Sequence, residues 1–326
     1  MHLPTSVCKP KWFFIFVIVY MAVSGFSLVD KPASGTHIID VKNSNEMKDF
    51  FRYSTDRLPF ISSHRGGPKK GFPENCLATF ENTLQHTWSL IELDPHYTKD
   101  SALVLMHDAT LERTSNGHGK VSDNTLAEIR KLKLKDTEGN LTNEGIITLD
   151  EALEWAKGRT IIMIDMKDVS AETRVRKIKE HHAEASAMVM AYSLADAKKC
   201  YELDKNIMME LVFVHDLKTA DEFDKSGVPW ENVVVFVTHT EPTEKGIFDY
   251  IHKKGAMCIR GSSRTIDKDY TDGKISGTDV LNEKYRRLIT DGADIIEADL
   301  GIESGNAIAG LQGTKSQKKK YFKVQK

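Results

Sequence analysis

Eight short apolar runs recur along this chain between Phe60 and Asp299, and most are separated by stretches of helical spacing. The runs are Phe60–Ser63, Ile91–Tyr97, Thr160–Lys167, Ala187–Tyr192, Ile207–Phe213, Val233–Thr238, Ala256–Arg260 and Asp294–Asp299. Between them the residues 75–87, 170–182, 194–203, 219–227, 243–254 and 278–291 carry amphipathic helical patterns. Near-continuous apolar strands alternating with helices are the pattern of parallel β/α units, because parallel neighbours need a crossover and that crossover covers the sheet. Eight such units predict an α/β fold closed into a barrel. The 326 residues, 40% hydrophobic and 28% charged, fit one large domain of this kind, which ordinarily takes about 250 residues. A net charge of -2 with no basic stripe along the strands and helices gives no electrostatic basis for a nucleic-acid partner.

Chemistry-bearing residues gather at the ends of the first runs. Glu92 and Asp94 stand at i and i+2, so an extended strand points both carboxylates to one face. Paired acids are costly unless something positive lies between them, and hard oxygen donors favour Mg²⁺ or Ca²⁺ over zinc. Solvated or salt-bridged acids at a strand end are the plain alternative. Phe60–Ser63 delivers His64 and Arg65, and Leu103–Met106 delivers His107 and Asp108. Two imidazoles that titrate near neutrality can serve as general base and general acid, and an arginine beside them can grip a phosphate through two parallel bonds. The set reads as a metal-assisted phosphodiester cleavage site.

The ordered motifs His64-Arg65-Gly66, Pro73-Glu74-Asn75, Glu92-Leu93-Asp94, Thr98-Lys99-Asp100, His107-Asp108 and Leu111–Thr114 through Gly117-His118-Gly119 resemble the glycerophosphodiester phosphodiesterase family. A weaker likeness continues through Thr148–Leu153, Asp165-Met166-Lys167 and Ala293–Asp299. The resemblance implies a TIM-type (β/α)8 barrel with a small insertion after the second strand. It also implies hydrolysis of glycerophosphodiesters to sn-glycerol 3-phosphate and an alcohol, with bound Ca²⁺ or Mg²⁺. Carried over by position, it makes His64 and His107 catalytic, Glu92, Asp94 and Asp165 metal ligands, and Arg65 and Lys167 phosphate-binding. Taking His64 as base makes His107 the acid, but the sequence does not decide between the two assignments. Asn75 stands where it could orient the glycerol, order the metal shell or cap a helix. Two departures from the family are visible. Asp165 replaces the usual, longer Glu, and the frequent tryptophan of the seventh strand is missing from Ala256–Gly261, so the resemblance does not carry over the walls of the leaving-group pocket.

Residues 1–29 read as a signal peptide or N-terminal anchor: Lys9 and Lys11 precede an apolar run from Trp12 to Val23 and then small residues. The expected order continues with a connector and short helix over 30–56, the barrel over 57–302 with an insertion at about 117–147, and a basic tail over 303–326. Export, with membrane anchoring if the signal is uncleaved, follows from the first segment. The tail, with Lys315, Lys318, Lys319, Lys320, Lys323 and Lys326, reads as solvated or as a strand tied to the barrel, or else as a peripheral contact with an anionic membrane. Cys76, Cys200 and Cys258 are widely spaced and read as buried apolar residues, without disulfides and without Cys/His metal spacing. The alternatives to a small-molecule diesterase are a phospholipase-type enzyme acting on intact lipid and a non-catalytic headgroup-binding protein. Oligomeric state is not legible.

Overall fold

A computed structural model describes Met1 and residues 35–244, 246–313 and 316–326. The expected signal or anchor over 1–29, with Cys8, and Lys315 of the tail lie outside the described residues. No helix among the described residues is long and apolar enough to cross a membrane.

The described strands are β1 (Thr36–Ile39), β2 (Phe60–Ser63), β3 (Ser89–Leu93), β4 (Pro95–Tyr97), β5 (Leu103–Leu105), β6 (Ile162–Ile164), β7 (Ala187–Ala191), β8 (Met209–Leu211), β9 (Val233–Thr238), β10 (Cys258–Gly261), β11 (Ile295–Ala298) and β12 (Phe322–Gln325). Eight of them close into a parallel barrel in the order β2-β3-β6-β7-β8-β9-β10-β11, with β11 pairing back onto β2. This is the TIM-type (β/α)8 fold. All eight expected runs supply its strands. The pleat sorts each strand: Leu90, Met163, Met188, Met208, Val234 and Ile259 pack together inside the barrel, while Ile91, Leu93, Ile162, Val189 and Met209 face the surrounding helices. Four of the interior residues, Met163, Met188, Met208 and Met257, are methionines, whose unbranched thioethers fill irregular gaps.

The described helices are α1 (Ser44–Phe51), α2 (Leu77–His86), α3 (Leu126–Ile129), α4 (Leu149–Ala156), α5 (Ala171–Glu180), α6 (Leu194–Leu203), α7 (Leu217–Asp224), α8 (Ile247–Lys253), α9 (Lys268–Thr271), α10 (Thr278–Thr290) and α11 (Gly301–Ile308). Their starts follow local chemistry. At α4, Thr148 accepts from the Glu151 amide while the Glu151 carboxylate reaches back to Thr148, a capping box whose loss costs about 1 kcal/mol.

Three expected boundaries move. Residues 91–97 are not one strand: β3 ends at Leu93, and β4 turns out of the barrel to pair antiparallel with β5. The excursion therefore begins at Pro95 rather than about 117, and Leu103–Leu105, which leads to His107, is the second arm of its hairpin. It holds together because Cys76, Val104, Met106, Leu111, Val121, Ile129, Leu134 and Ile146 bury a small core of their own. The barrel also continues past 302, since α11 packs on α10 and buries Ala307 and Ile308 beside Ile61. The terminal segments of the described chain pair, β1 with β12. Met47, Phe50, Phe51 and Tyr321 join the interior cluster at the barrel's N-terminal end, and the Lys318 ammonium is buried as donor to the carbonyls of Asp49 and Phe50. The end of the chain is tied down by these contacts.

Candidate active site

The site lies where strand C-termini converge, around a cavity of about 320 Å³ lined by His64, Arg65, Glu92, His107, Asp165 and Lys167, among others. His64 leaves β2 directly into a tight reversal, with Arg65 (φ 52), Gly66 (φ 89) and Gly67 (φ 80) all left-handed. Gly66 is obligatory, as a Cβ there would lie 2.4 Å from the Phe80 ring. The reversal aims the Arg65 amide at Glu92 Oε2 (2.8 Å) and brings the Arg65 guanidinium to Glu74, 3.3 Å away.

Glu92 and Asp94 share a face as the alternation requires, and Asp165 joins them from the end of β6. One ligand oxygen from each lies within 4.8 Å of the other two, and all three residues are buried. Lys167, itself left-handed (φ 40), places its ammonium 2.8 Å from Asp94 Oδ1 and in contact with Asp165. Burial would neutralise that ammonium; the two carboxylates overcome it and hold the lysine firmly charged. Glu92 is pushed well up by burial and then by Asp94. Asp94 is held low despite its burial, chiefly by the Lys167 ammonium at Oδ1 and by the Asn75 amide at Oδ2. Three buried hard-oxygen donors drawn this close fit an Mg²⁺ or Ca²⁺ ion.

Asn75, expected to orient the glycerol, order the metal shell or cap a helix, is turned toward the cradle. It is 1% exposed, its amide donates to Asp94 Oδ2 (2.7 Å), and its oxygen accepts from the Asp94 backbone (3.1 Å). The cap of α2 is Cys76, so the residue does not cap the helix; both of its amide atoms are engaged in ordering Asp94. The shortened Asp165 is compensated from β7, beyond which the Tyr192 hydroxyl donates to its Oδ1 at 2.6 Å.

Each histidine has a carboxylate at Nδ1. His64 Nδ1 is 2.6 Å from Asp299 and its Nε2 is 4.0 Å from Glu92. Burial opposes charge on this ring, but Asp299, Glu92 and Glu297 push its pKa up to about 10. His107 Nδ1 is 2.8 Å from Asp108, which Arg113 grips in turn. Here burial wins, and the ring is shifted toward its neutral form. Both pairings engage Nδ1 and leave Nε2 available for proton transfer. Asp299 is steadied by Asp267, which accepts from its amide (2.7 Å) and from the Tyr285 hydroxyl (2.6 Å).

Sequence reasoning gave no role to Asp299, Tyr192, Glu297 or Glu210. The weak likeness over Ala293–Asp299 is the one signal for Asp299. Glu297 sits inside the barrel, where burial first, against His64, leaves its pKa at about 6. Glu210, on β8, is 0% exposed with neither oxygen hydrogen-bonded, and burial pushes it well up. Beside Gly261 on β10, Phe236 and His239 pack edge to face at 4.7 Å, with Gly261 leaving the space that a Cβ would take from His239 Nδ1. His252, Cys258 and Asp294 also converge at the opposite end, unforeseen from their spacing. Asp294 there already accepts from Arg57 (2.9 Å), His252 (2.8 Å) and the Cys258 amide (2.9 Å), which makes a satisfied hydrogen-bond node.

The fold and this site define a parallel α/β barrel with two carboxylate-paired imidazoles facing an acidic cation cradle. The family model for the glycerophosphoryl diester phosphodiesterase family matches residues 64–243, and the chain belongs to that family. A glycerophosphodiester phosphodiesterase of Caldanaerobacter subterraneus is 36% identical over 150 residues, 43% of this chain and 61% of that protein. Bovine glycerophosphodiester phosphodiesterase 1 is 38% identical over 116 residues, 34% of each chain, so the matched stretch spans less than two thirds of either relative. The crystal structure of a glycerophosphoryl diester phosphodiesterase from Parabacteroides distasonis superposes with a TM-score of 0.84 at 40% identity, covering 89% of this chain and 100% of that one. An Oleispira antarctica phosphodiesterase in complex with its product sn-glycerol-3-phosphate shares the fold, with a TM-score of 0.57 at 19% identity over 77% of this chain and 97% of that one.

Proposed function

We propose that this chain is a hydrolase that cleaves glycerophosphodiesters to sn-glycerol 3-phosphate and an alcohol, using Ca²⁺ or Mg²⁺ held by Glu92, Asp94 and Asp165. The observation that carries the reading is the pair of carboxylate-backed imidazoles on one cavity with the acidic cradle and Lys167. The product found in the Oleispira relative supports the substrate class. A cation in the cradle supplies positive charge against the phosphate and the developing oxyanion. The rest falls to the chain's own groups. Arg65 and Lys167 neutralise the phosphate oxygens. His107, held toward neutrality, accepts the proton of the glycerol 2-hydroxyl at Nε2. As that oxygen bonds to phosphorus, the bond to the alcohol breaks, and His64 donates its Nε2 proton to the departing oxygen. Water then opens the cyclic phosphate with the two roles reversed. The electrostatics of the two rings thus favours His107 as base in the first step.

An intact-lipid substrate would call for an apolar rim. Among the described residues, of the exposed large hydrophobics Met1, Leu141, Tyr192, Leu217, Val280, Leu311 and Val324, only Tyr192 lines the cavity. Export directed by residues 1–29 belongs to the same reading, and N-terminal sequencing of the mature protein tests it. The activity test is glycerol 3-phosphate release from glycerophosphocholine after EDTA treatment, with Ca²⁺ or Mg²⁺ restored. No release under any metal condition rejects the enzyme reading, and full activity in EDTA rejects the cation.

A further inference from the structure

Beyond the Phe236–His239 contact lies a second cavity of about 440 Å³. A single π-helical turn, Ser263–Asp267, divides the two spaces: Ser263 and Arg264 line the first, Thr265 and Ile266 the second, and His239 lines both. Such turns interrupt the regular hydrogen-bond ladder and recur at functional positions.

The second cavity is built around Arg260, at the C-terminal end of β10 and 2% exposed. Its Nη2 donates to the Thr240 carbonyl (2.9 Å) and reaches Glu241 at 3.4 Å. Nε and Nη1, which carry three of the five N–H groups of a guanidinium, are buried without an acceptor. The nearest acid to Nη1, Asp291, stands 3.7 Å away and is shared with Arg287. Of the other acids lining the space, Asp269 is bound by Lys274, and Glu241 extends into solvent. Lys284 lines the same cavity and Arg264 the first one, and neither makes an ion pair among the described residues. A buried guanidinium left with open donors is costly, and an apolar side chain would fill the position without that cost. The open donors, with Lys284 and Arg287 beside them, match the fork geometry by which arginine receives a carboxylate or phosphate.

We propose that this second cavity is an anion subsite that receives a phosphate or carboxylate group borne by the alcohol moiety of the substrate, reached past His239 from the first cavity. The assignment rests on the hydrolase reading above and narrows it: the preferred diesters carry a negative group on the alcohol side. Arg260 and Lys284 determine specificity, and His239, whose ring is held neutral at about 4 by burial and by Arg264, forms the uncharged threshold between the spaces.

Two matched substrate pairs differ by that one group: glycerophosphoinositol 4-phosphate against glycerophosphoinositol, and glycerophosphoserine against glycerophosphoethanolamine. The natural protein should favour the anionic member of at least one pair by about tenfold in kcat/KM, the size of one charge-assisted hydrogen bond. The double variant Lys284→Gln/Arg287→Gln, on the exposed face of α10, leaves Arg260 in place and should lower that ratio by about threefold or more, through kcat/KM of the member that carries the extra anionic group. Arg260→Met should do the same, and if it fails to fold, the double variant carries the test. Equal ratios in natural and variant protein overturn the proposal. A separate arm needs no turnover: the rise in unfolding midpoint with inorganic phosphate, against chloride at equal ionic strength, should shrink in the double variant. Phosphate binding lost in the variant without any substrate preference means a site for free anion, and overturns the alcohol assignment. If no diester is hydrolysed, the hydrolase reading fails by itself, and the phosphate arm decides the cavity: a reduced shift supports an anion site and an unchanged one removes it.

Discussion

His64 Nδ1 and Asp299 Oδ1 stand 2.6 Å apart across 235 residues of sequence, joined by the closure of the barrel between β2 and β11. That pair sets the charge of His64. Because the folded pKa is raised to about 10, the pair contributes stability that is fully present below the ring's ordinary value of 6.5 and is lost as pH rises through about 10. Asp299→Asn should therefore pull the alkaline limb of the kcat/KM profile to lower pH, since the acid loses its proton earlier. An unshifted limb, measured from pH 6 to 10, would detach Asp299 from the acid.

Replacing either imidazole by alanine should cost on the order of 10²–10⁴ in turnover, and the double variant should be far from additive. The two single variants should differ in which limb of the pH profile they erase, the acidic limb for His107 and the alkaline limb for His64. Near-normal turnover in one of them would remove that ring from the mechanism.

Asp165 is held by the Tyr192 hydroxyl and Lys167, so its shorter reach is fixed rather than slack. Asp165→Glu should keep activity and alter the preference between Mg²⁺ and Ca²⁺, whereas Asp165→Asn should bind metal more weakly because a charge is gone. Tyr192→Phe should lower metal affinity about 10-fold by freeing the carboxylate. Thermal midpoints with added metal report all three, and identical shifts in every form would make Asp165 a bystander.

Asn75→Ala removes both bonds to Asp94, leaving that carboxylate buried without its orienting partner. Metal affinity should fall about 10–100-fold with the substrate KM little changed at saturating metal. A variant that loses KM alone would return Asn75 to the glycerol.

Glu210 offers a pH test of the barrel interior. Its folded pKa lies well above 4.5, so its contribution is fully present below that value and is lost as pH rises through the folded pKa. Glu210→Met, which suits the methionine-rich interior, should match the natural protein near pH 4 and exceed it by about 1 kcal/mol or more at pH 8. Urea midpoints at both pH values decide it. A variant less stable at pH 8 would mean that Glu210 is charged and partnered in the folded chain.

The sequence by itself determined the eight barrel strands, because a buried strand must be apolar and each was bounded by a helix with its own periodicity. It also determined that Glu92 and Asp94 share a face, and that His64 and His107 end apolar runs, since those relations are local. The alternation of polar Glu92, Asp94 and His96 with Ile91, Leu93, Pro95 and Tyr97 runs on through both strands, so it could not separate β3 from β4; Pro95, which has no amide to give a central ladder, was the one local sign of a break. The pairing of Pro95–Tyr97 with Leu103–Leu105 depends instead on a small core assembled from residues 76 to 146. Only the tertiary structure decided that Asn75 serves Asp94, that Tyr192 steadies Asp165, that Asp299 charges His64, and that Arg260 faces a second cavity with open donors. Each joins groups on different strands, turns or helices, and their separation along the chain carries no trace of it. The distances exist only once β11 pairs with β2 and the ring of strands is closed.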